Sequence, residues 1–133
     1  MSLIEIILQA KPYIYESNVI NALWIEGSYA TGKFNSASDI DVWLDILPSQ
    51  QMQAVKDFQD AISQVTNLRE VTNIDFYSKQ PKLAKVKMYI KGMSNDNRIE
   101  LDLQEETREF VFDRLENDII ILFDKTGAIK YGN

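Results

Sequence analysis

The chain of 133 residues contains neither cysteine nor histidine. The first absence excludes a disulfide framework and a thiolate metal site. The second excludes Ser-His-Asp and Cys-His catalysis, imidazole ligation and a histidine general base. Chemistry must come instead from carboxylates, hydroxyls, lysine, arginine or a bound ion. Long apolar runs are also missing. Stretches such as Ile119 to Phe123 are far too short to cross a bilayer, so no membrane partner is expected. The N-terminus lacks a basic region followed by an apolar segment, so no signal peptide is expected and the cytoplasm is the expected compartment. Positive charge is in deficit, with a formal net charge of -6. Such acidity disfavours nucleic acid as a partner, because phosphate contacts dominate sequence-independent binding. The same acidity can serve a site, since clustered carboxylates attract divalent cations.

What is present suits a packed domain. Hydrophobic residues make up 45% of the chain, enough for a core, and neither repeats nor linker-like segments divide it. Residues 1–133 are therefore read as a single domain. Leu3, Ile4, Ile7 and Leu8 have helical spacing over Leu3 to Tyr15, with Pro12 expected to bend or interrupt the helix. Ala22 to Glu26 is short and apolar and ends at Gly27, which predicts a buried strand running into a tight turn. From Asp39 to Leu47, apolar Ile40, Val42, Leu44 and Ile46 alternate with Asp39, Asp41, Trp43 and Asp45, as in a half-buried strand. Pro48 is expected to open an amphipathic helix with Met52, Val55, Phe58, Ile62 and Val65 as its apolar stripe. Leu68 to Tyr77 and Val86 to Lys91 read as strands, and residues 94–97 as a turn. Arg98 to Gln104 alternates again, Thr107 to Leu115 is predicted to be a short helix, and Ile119 to Phe123 a last buried strand before a turn at Gly127. The order predicts an α/β (α+β) fold, a mixed sheet with helices packed on it.

The segment from Trp24 to Asp45, WIEGSYATGKFNSASDIDVWLD, carries the chemistry. Gly27 permits a sharp turn and close approach of a ligand. Ser28 falls where a helix would begin, so its hydroxyl and the first backbone N–H groups can meet phosphate oxygens; it can also simply cap that helix. Asp39 and Asp41 are two apart on a strand and leave the same face. Like charges so close raise each other's proton affinity and are at ease mainly with a cation between them. Hard oxygen ligands suit Mg2+ or Mn2+. A third carboxylate from the polar face of the later strand would complete the site, and both Glu100 and Asp102 qualify; Asp75 is a further contender. Glu105, Glu106 and Glu109 read as a solvated helix start. Trp24 reads as core, and Trp43 either lines the site or packs.

Gly27-Ser28, a ten-residue gap and Asp39-Ile40-Asp41 resemble the signature of the DNA polymerase β-like nucleotidyltransferase superfamily. Downstream, RIELDLQEETREF and IIILFDKTGAIKY are similar to antibiotic nucleotidyltransferases of the lincosamide-modifying type. The resemblance implies a mostly antiparallel sheet flanked by helices, and it points to Glu100 as the third ligand beside Asp39 and Asp41. Many small members carry an arginine where this chain has Thr31, and Lys33 could supply that charge. Antibiotic-modifying members usually continue into a helical domain that helps bind the acceptor. With the sequence ending at Asn133, a minimal domain is one reading; a second copy or a small helical protein partner supplying that wall is another, and a sequence cut short of its C-terminal domain is a third.

The implied activity is Mg2+-dependent (or Mn2+-dependent) transfer of a nucleoside monophosphate from a nucleoside triphosphate such as ATP to a hydroxyl acceptor, with release of pyrophosphate. The acceptor would be a small molecule such as an antibiotic, or a protein side chain, as in the minimal nucleotidyltransferases linked to toxin–antitoxin pairs. Asp39, Asp41 and Glu100 would be catalytic and hold the metal, Glu100 also helping to deprotonate the acceptor. Gly27 and Ser28 would bind the nucleotide. The alternative is a non-catalytic nucleotide-binding or partner-binding module of the same fold.

Overall fold

The structure is a computed structural model that describes all residues except 36–37, 78–79, 106–109, 114–118, 128 and 133. Its elements run α1 (Leu3–Tyr15), β1 (Ile20–Glu26), α2 (Ser28–Thr31), β2 (Ile40–Ile46), α3 (Gln51–Ser63), β3 (Leu68–Val71), β4 (Asp75–Tyr77), β5 (Gln80–Ile90), β6 (Arg98–Glu105), β7 (Phe110–Asp113), β8 (Ile120–Asp124) and β9 (Ile129–Gly132). Seven strands form one sheet in the order β3-β5-β6-β2-β1-β8, with β4 also on β5. Its pairings are antiparallel except β2 with β6, which is parallel. β7 and β9 form a separate parallel pair. The fold is the α+β class expected. None of the described helices is long and apolar enough to cross a membrane.

Strand alternation gives the sheet two unlike faces. Leu23, Ile25, Val42, Leu44, Leu101 and Val86 point to one face and pack with α1 and α3 into the main core. The other face carries a smaller apolar cluster around Ala22 and Trp24, with Trp43, Ile121 and Ile129 against it. The rest of that face is polar, and it holds the site.

Several expectations need correction. Pro12 does not interrupt α1, which continues to Tyr15. Pro12 and Leu8 both lie on the exposed side, where water can replace the bond to the Leu8 carbonyl that proline cannot make. The helix expected after Pro48 starts only at Gln51; residues 48–49 form a turn, with Ser49 at positive φ. Its buried face is Gln51, Ala54, Val55, Phe58, Ala61 and Ile62, while Met52 is 78% exposed and Val65 lies beyond its end. Leu68 to Tyr77 is two strands rather than one. Ile119 to Phe123 was expected to be a last buried strand, but β8 pairs only with β1, at the sheet edge, and β9 follows it. Of the helix expected over Thr107 to Leu115, the described part, Phe110–Asp113, is a strand. Phe-Val-Phe is an aromatic and β-branched run that favours the pleat over a helix. The remainder of that stretch, with Glu106 and Glu109, lies outside the described residues.

Candidate active site

β1 delivers the chain to Gly27, where it turns sharply with φ 75° and ψ −151°. A side chain is excluded there twice over. The positive φ disfavours any L residue, and a Cβ on Gly27 would fall on the Asp41 carboxylate oxygen Oδ2. The glycine and the aspartate are therefore one structural unit. Ser28 opens α2, and the Gly27 carbonyl accepts from the N–H groups of Ala30 and Thr31. Thr31 turns its hydroxyl back to the Ser28 carbonyl at 3.3 Å. Lys33 is exposed beyond Gly32. Tyr29 stacks on Phe34, with ring centroids 4.3 Å apart.

The β2–β6 register sets Asp41 directly beside Glu100, and the β1–β2 register sets Glu26 on the other side of Asp41. Three acidic residues thus form a row across three strands. Asp39, just ahead of β2, reaches the same place from the loop. Asp39, Asp41 and Glu100 each offer an oxygen, and these oxygens lie within 4.8 Å of one another. Asp102 belongs to the next row, opposite Trp43 and Lys85, is 6% exposed and stands outside this group. Asp75 lies exposed on β4, opposite Lys85, also outside the group. Glu105, expected in a helix, ends β6 and accepts from Gln51 at 2.7 Å, tying the start of α3 to the sheet. Trp24 is fully buried and stacks on Trp43 at 6.0 Å, so Trp43 packs on its neighbour.

Two cations flank the group. Arg98 donates to Glu100 Oε1 from Nη2 at 2.7 Å and from Nε at 3.1 Å, and its Nη2 lies 3.6 Å from Asp39 Oδ2. Lys85 Nζ lies 3.6 Å from Glu100 Oε2 and 3.8 Å from Asp102 Oδ1. These contacts divide the carboxylates. Burial pushes the Asp41 carboxyl up to about 6, helped by the charges of Asp39 and Glu100 and opposed by Lys85. Asp39 is raised by burial and then by Glu100, with Arg98 pulling the other way. Glu26 is also raised, first by burial and, among other influences, by the charges of Asp102 and Asp41. For Glu100, burial acts upward but is outweighed by the Arg98 hydrogen bonds and the Lys85 charge, so its carboxyl is lowered. The Glu100 carboxyl is thus shifted in the opposite direction from those of Asp39 and Asp41.

This donor set fits a hard divalent cation. It offers three carboxylate oxygens at one point, and burial and neighbouring charge hold two of the carboxylates against their ionised form. Residues 7–126 match the nucleotidyltransferase domain family. The chain belongs to that family. Among curated proteins, none matches the chain. Within this nucleotidyltransferase domain, three site-face residues escaped the sequence reading: Glu26, Lys85 and Arg98. Arg98 was within reach, because it stands two residues before Glu100 and shares its face. Glu26 and Lys85 depend on strand pairing, which no local pattern reveals.

Proposed function

We propose that this nucleotidyltransferase domain moves a nucleoside monophosphate from a triphosphate such as ATP to a hydroxyl acceptor and releases pyrophosphate. The observation that carries this reading is the convergence of Asp39, Asp41 and Glu100 beside the Gly27-Ser28 turn. Those three carboxylates would hold Mg2+ or Mn2+. Once bound, the ion would offset the charge of the triphosphate and favour in-line attack at the α-phosphorus. Gly27 lets the chain turn tightly against Asp41, and Ser28 with the N–H groups that open α2 would meet the phosphate oxygens. Removing the acceptor's proton falls to the carboxylate cluster. The acceptor we favour is a small molecule or a protein side chain, since a net charge of -6 repels a nucleic-acid backbone.

The test is calorimetry with a non-hydrolysable triphosphate, with and without Mg2+, on wild type and on Asp39→Ala/Asp41→Ala. Metal-dependent binding should weaken by at least about 100-fold in the double variant, since changing only the partners that orient metal ligands already costs about 10–100-fold. Unchanged binding would sink the assignment. Binding in wild type without pyrophosphate release across a broad acceptor panel would favour a non-catalytic module instead.

A further inference from the structure

Arg98 has no part in nucleotide transfer as set out above, yet it reaches two of the three carboxylates. Its Nη2 is 2.7 Å from Glu100 Oε1 and 3.6 Å from Asp39 Oδ2, and Nε adds a 3.1 Å bond to the same Glu100 oxygen. Its third nitrogen, Nη1, donates to the Asn95 carbonyl at 3.0 Å, which anchors the guanidinium to the turn before β6. The side chain is 23% exposed and keeps its charge at any working pH. Lys85 differs, because it divides its charge between Glu100 and Asp102, and Asp102 lies outside the cluster.

We propose that Arg98 is a positioning residue acting as a built-in stand-in for the metal ion. It holds Asp39 and Glu100 together while the site lacks its cation and competes with that cation for them. The inference rests on Asp39, Asp41 and Glu100 being the metal site. The two contacts are unequal. Glu100 receives two hydrogen bonds, whereas Asp39 is met only by an ion pair beyond hydrogen-bond distance. Of the two contacts, the one to Asp39 would yield first if the three carboxylates held a divalent ion. The Glu100 and Asn95 bonds would still hold the guanidinium at the rim of the cluster. Competition of this kind keeps affinity for the bare ion low and favours arrival of ion and triphosphate together.

The test follows Mn2+ binding by electron paramagnetic resonance, without nucleotide, in wild type, Arg98→Gln, Arg98→Lys and Asp39→Ala/Asp41→Ala. Losing a unit charge at this distance in a partly buried site should tighten Mn2+ binding about tenfold in Arg98→Gln. Lysine keeps the charge but lacks the fork, so Arg98→Lys should bind roughly threefold tighter than wild type. In chelator, Arg98→Gln should melt below wild type because the carboxylates repel, and saturating Mn2+ should close that gap. Equal or weaker Mn2+ binding by Arg98→Gln, with binding lost in the double aspartate variant, overturns the stand-in role and leaves the metal site standing. Wild-type binding by the double variant removes the metal site itself. Should Arg98→Gln not fold without the ion, Arg98→Lys decides alone, and affinity no higher than wild type overturns the proposal.

Discussion

The two faces of the central sheet are made by the same strands and obey opposite rules. On the helix side, β2 contributes Ile40, Val42, Leu44 and Ile46, all fully buried against α1, α3 and neighbouring strands. On the other side the same strand contributes Asp41, Trp43 and Asp45, and the end near Gly27 collects acidic groups, where burial and then neighbouring charge raise the proton affinity of Asp41 and Asp39. One face lowers free energy by removing apolar surface from water. The other carries electrostatic repulsion that a folded protein tolerates only because its opposite face is well packed. Stability and chemistry are thus separated across one strand's thickness.

That contrast can be broken most strongly from the helix side. Phe58→Ala empties a fully buried site under the sheet and should cost about 3–5 kcal/mol in denaturant unfolding, with Mg2+-dependent nucleotide binding unchanged in the molecules that remain folded. Gly27→Ala acts on the opposite face. It should cost about 1–3 kcal/mol from backbone strain, and nucleotide binding should fall with it, because its methyl group displaces Asp41.

Acidification probes the same face more gently. Asp41, Asp39 and Glu26 all have raised proton affinity, so their charged forms are disfavoured in the folded state. The penalty is absent below the ordinary carboxylate range and grows as pH rises, and the Asp41 share is complete once the pH exceeds about 6. Metal-free protein should therefore gain melting temperature as pH falls from 7 to about 5. Glu100, lowered instead, withdraws stability only below its ordinary value of 4.5. Added Mg2+ should raise the melting temperature at pH 7.5 and do so less at pH 5, where protons compete for the same oxygens. A flat profile between pH 7 and 5 would contradict the burial and repulsion that disfavour these charges. The smallest effect is expected at Met52, assigned by pattern to the helix core and found at 78% exposure; Met52→Gln should change unfolding free energy by less than about 0.5 kcal/mol.

How much of this was legible depends on range. Alternation from Asp39 to Leu47 revealed the strand and the face shared by Asp41, Trp43 and Asp45, because a period of two is a local property. Gly27 marked the turn for the same reason. The preference for Glu100 over Asp102 came from resemblance, and the register places Glu100 in the same row as Asp41. What escaped were partnerships between distant segments: Glu26 beside Asp41, and Lys85 between Glu100 and Asp102. The strand at Phe110–Asp113 was missed for another reason. Charged, helix-favouring neighbours outweighed a three-residue β-forming run in the local pattern.

The parallel β2–β6 pairing has a consequence for the order in which the protein is made. Its partners lie 59 positions apart, with α3 and three strands between them. The carboxylate cluster therefore cannot exist in any locally folded fragment, and it forms only when that long excursion closes and β6 docks. A nascent or half-folded chain holds the Gly27-Ser28 turn and the Asp39-Asp41 pair but has no complete cage. Capture of a divalent ion by all three carboxylates would thus report that β6 has docked on β2, and not merely that the first half of the chain has folded.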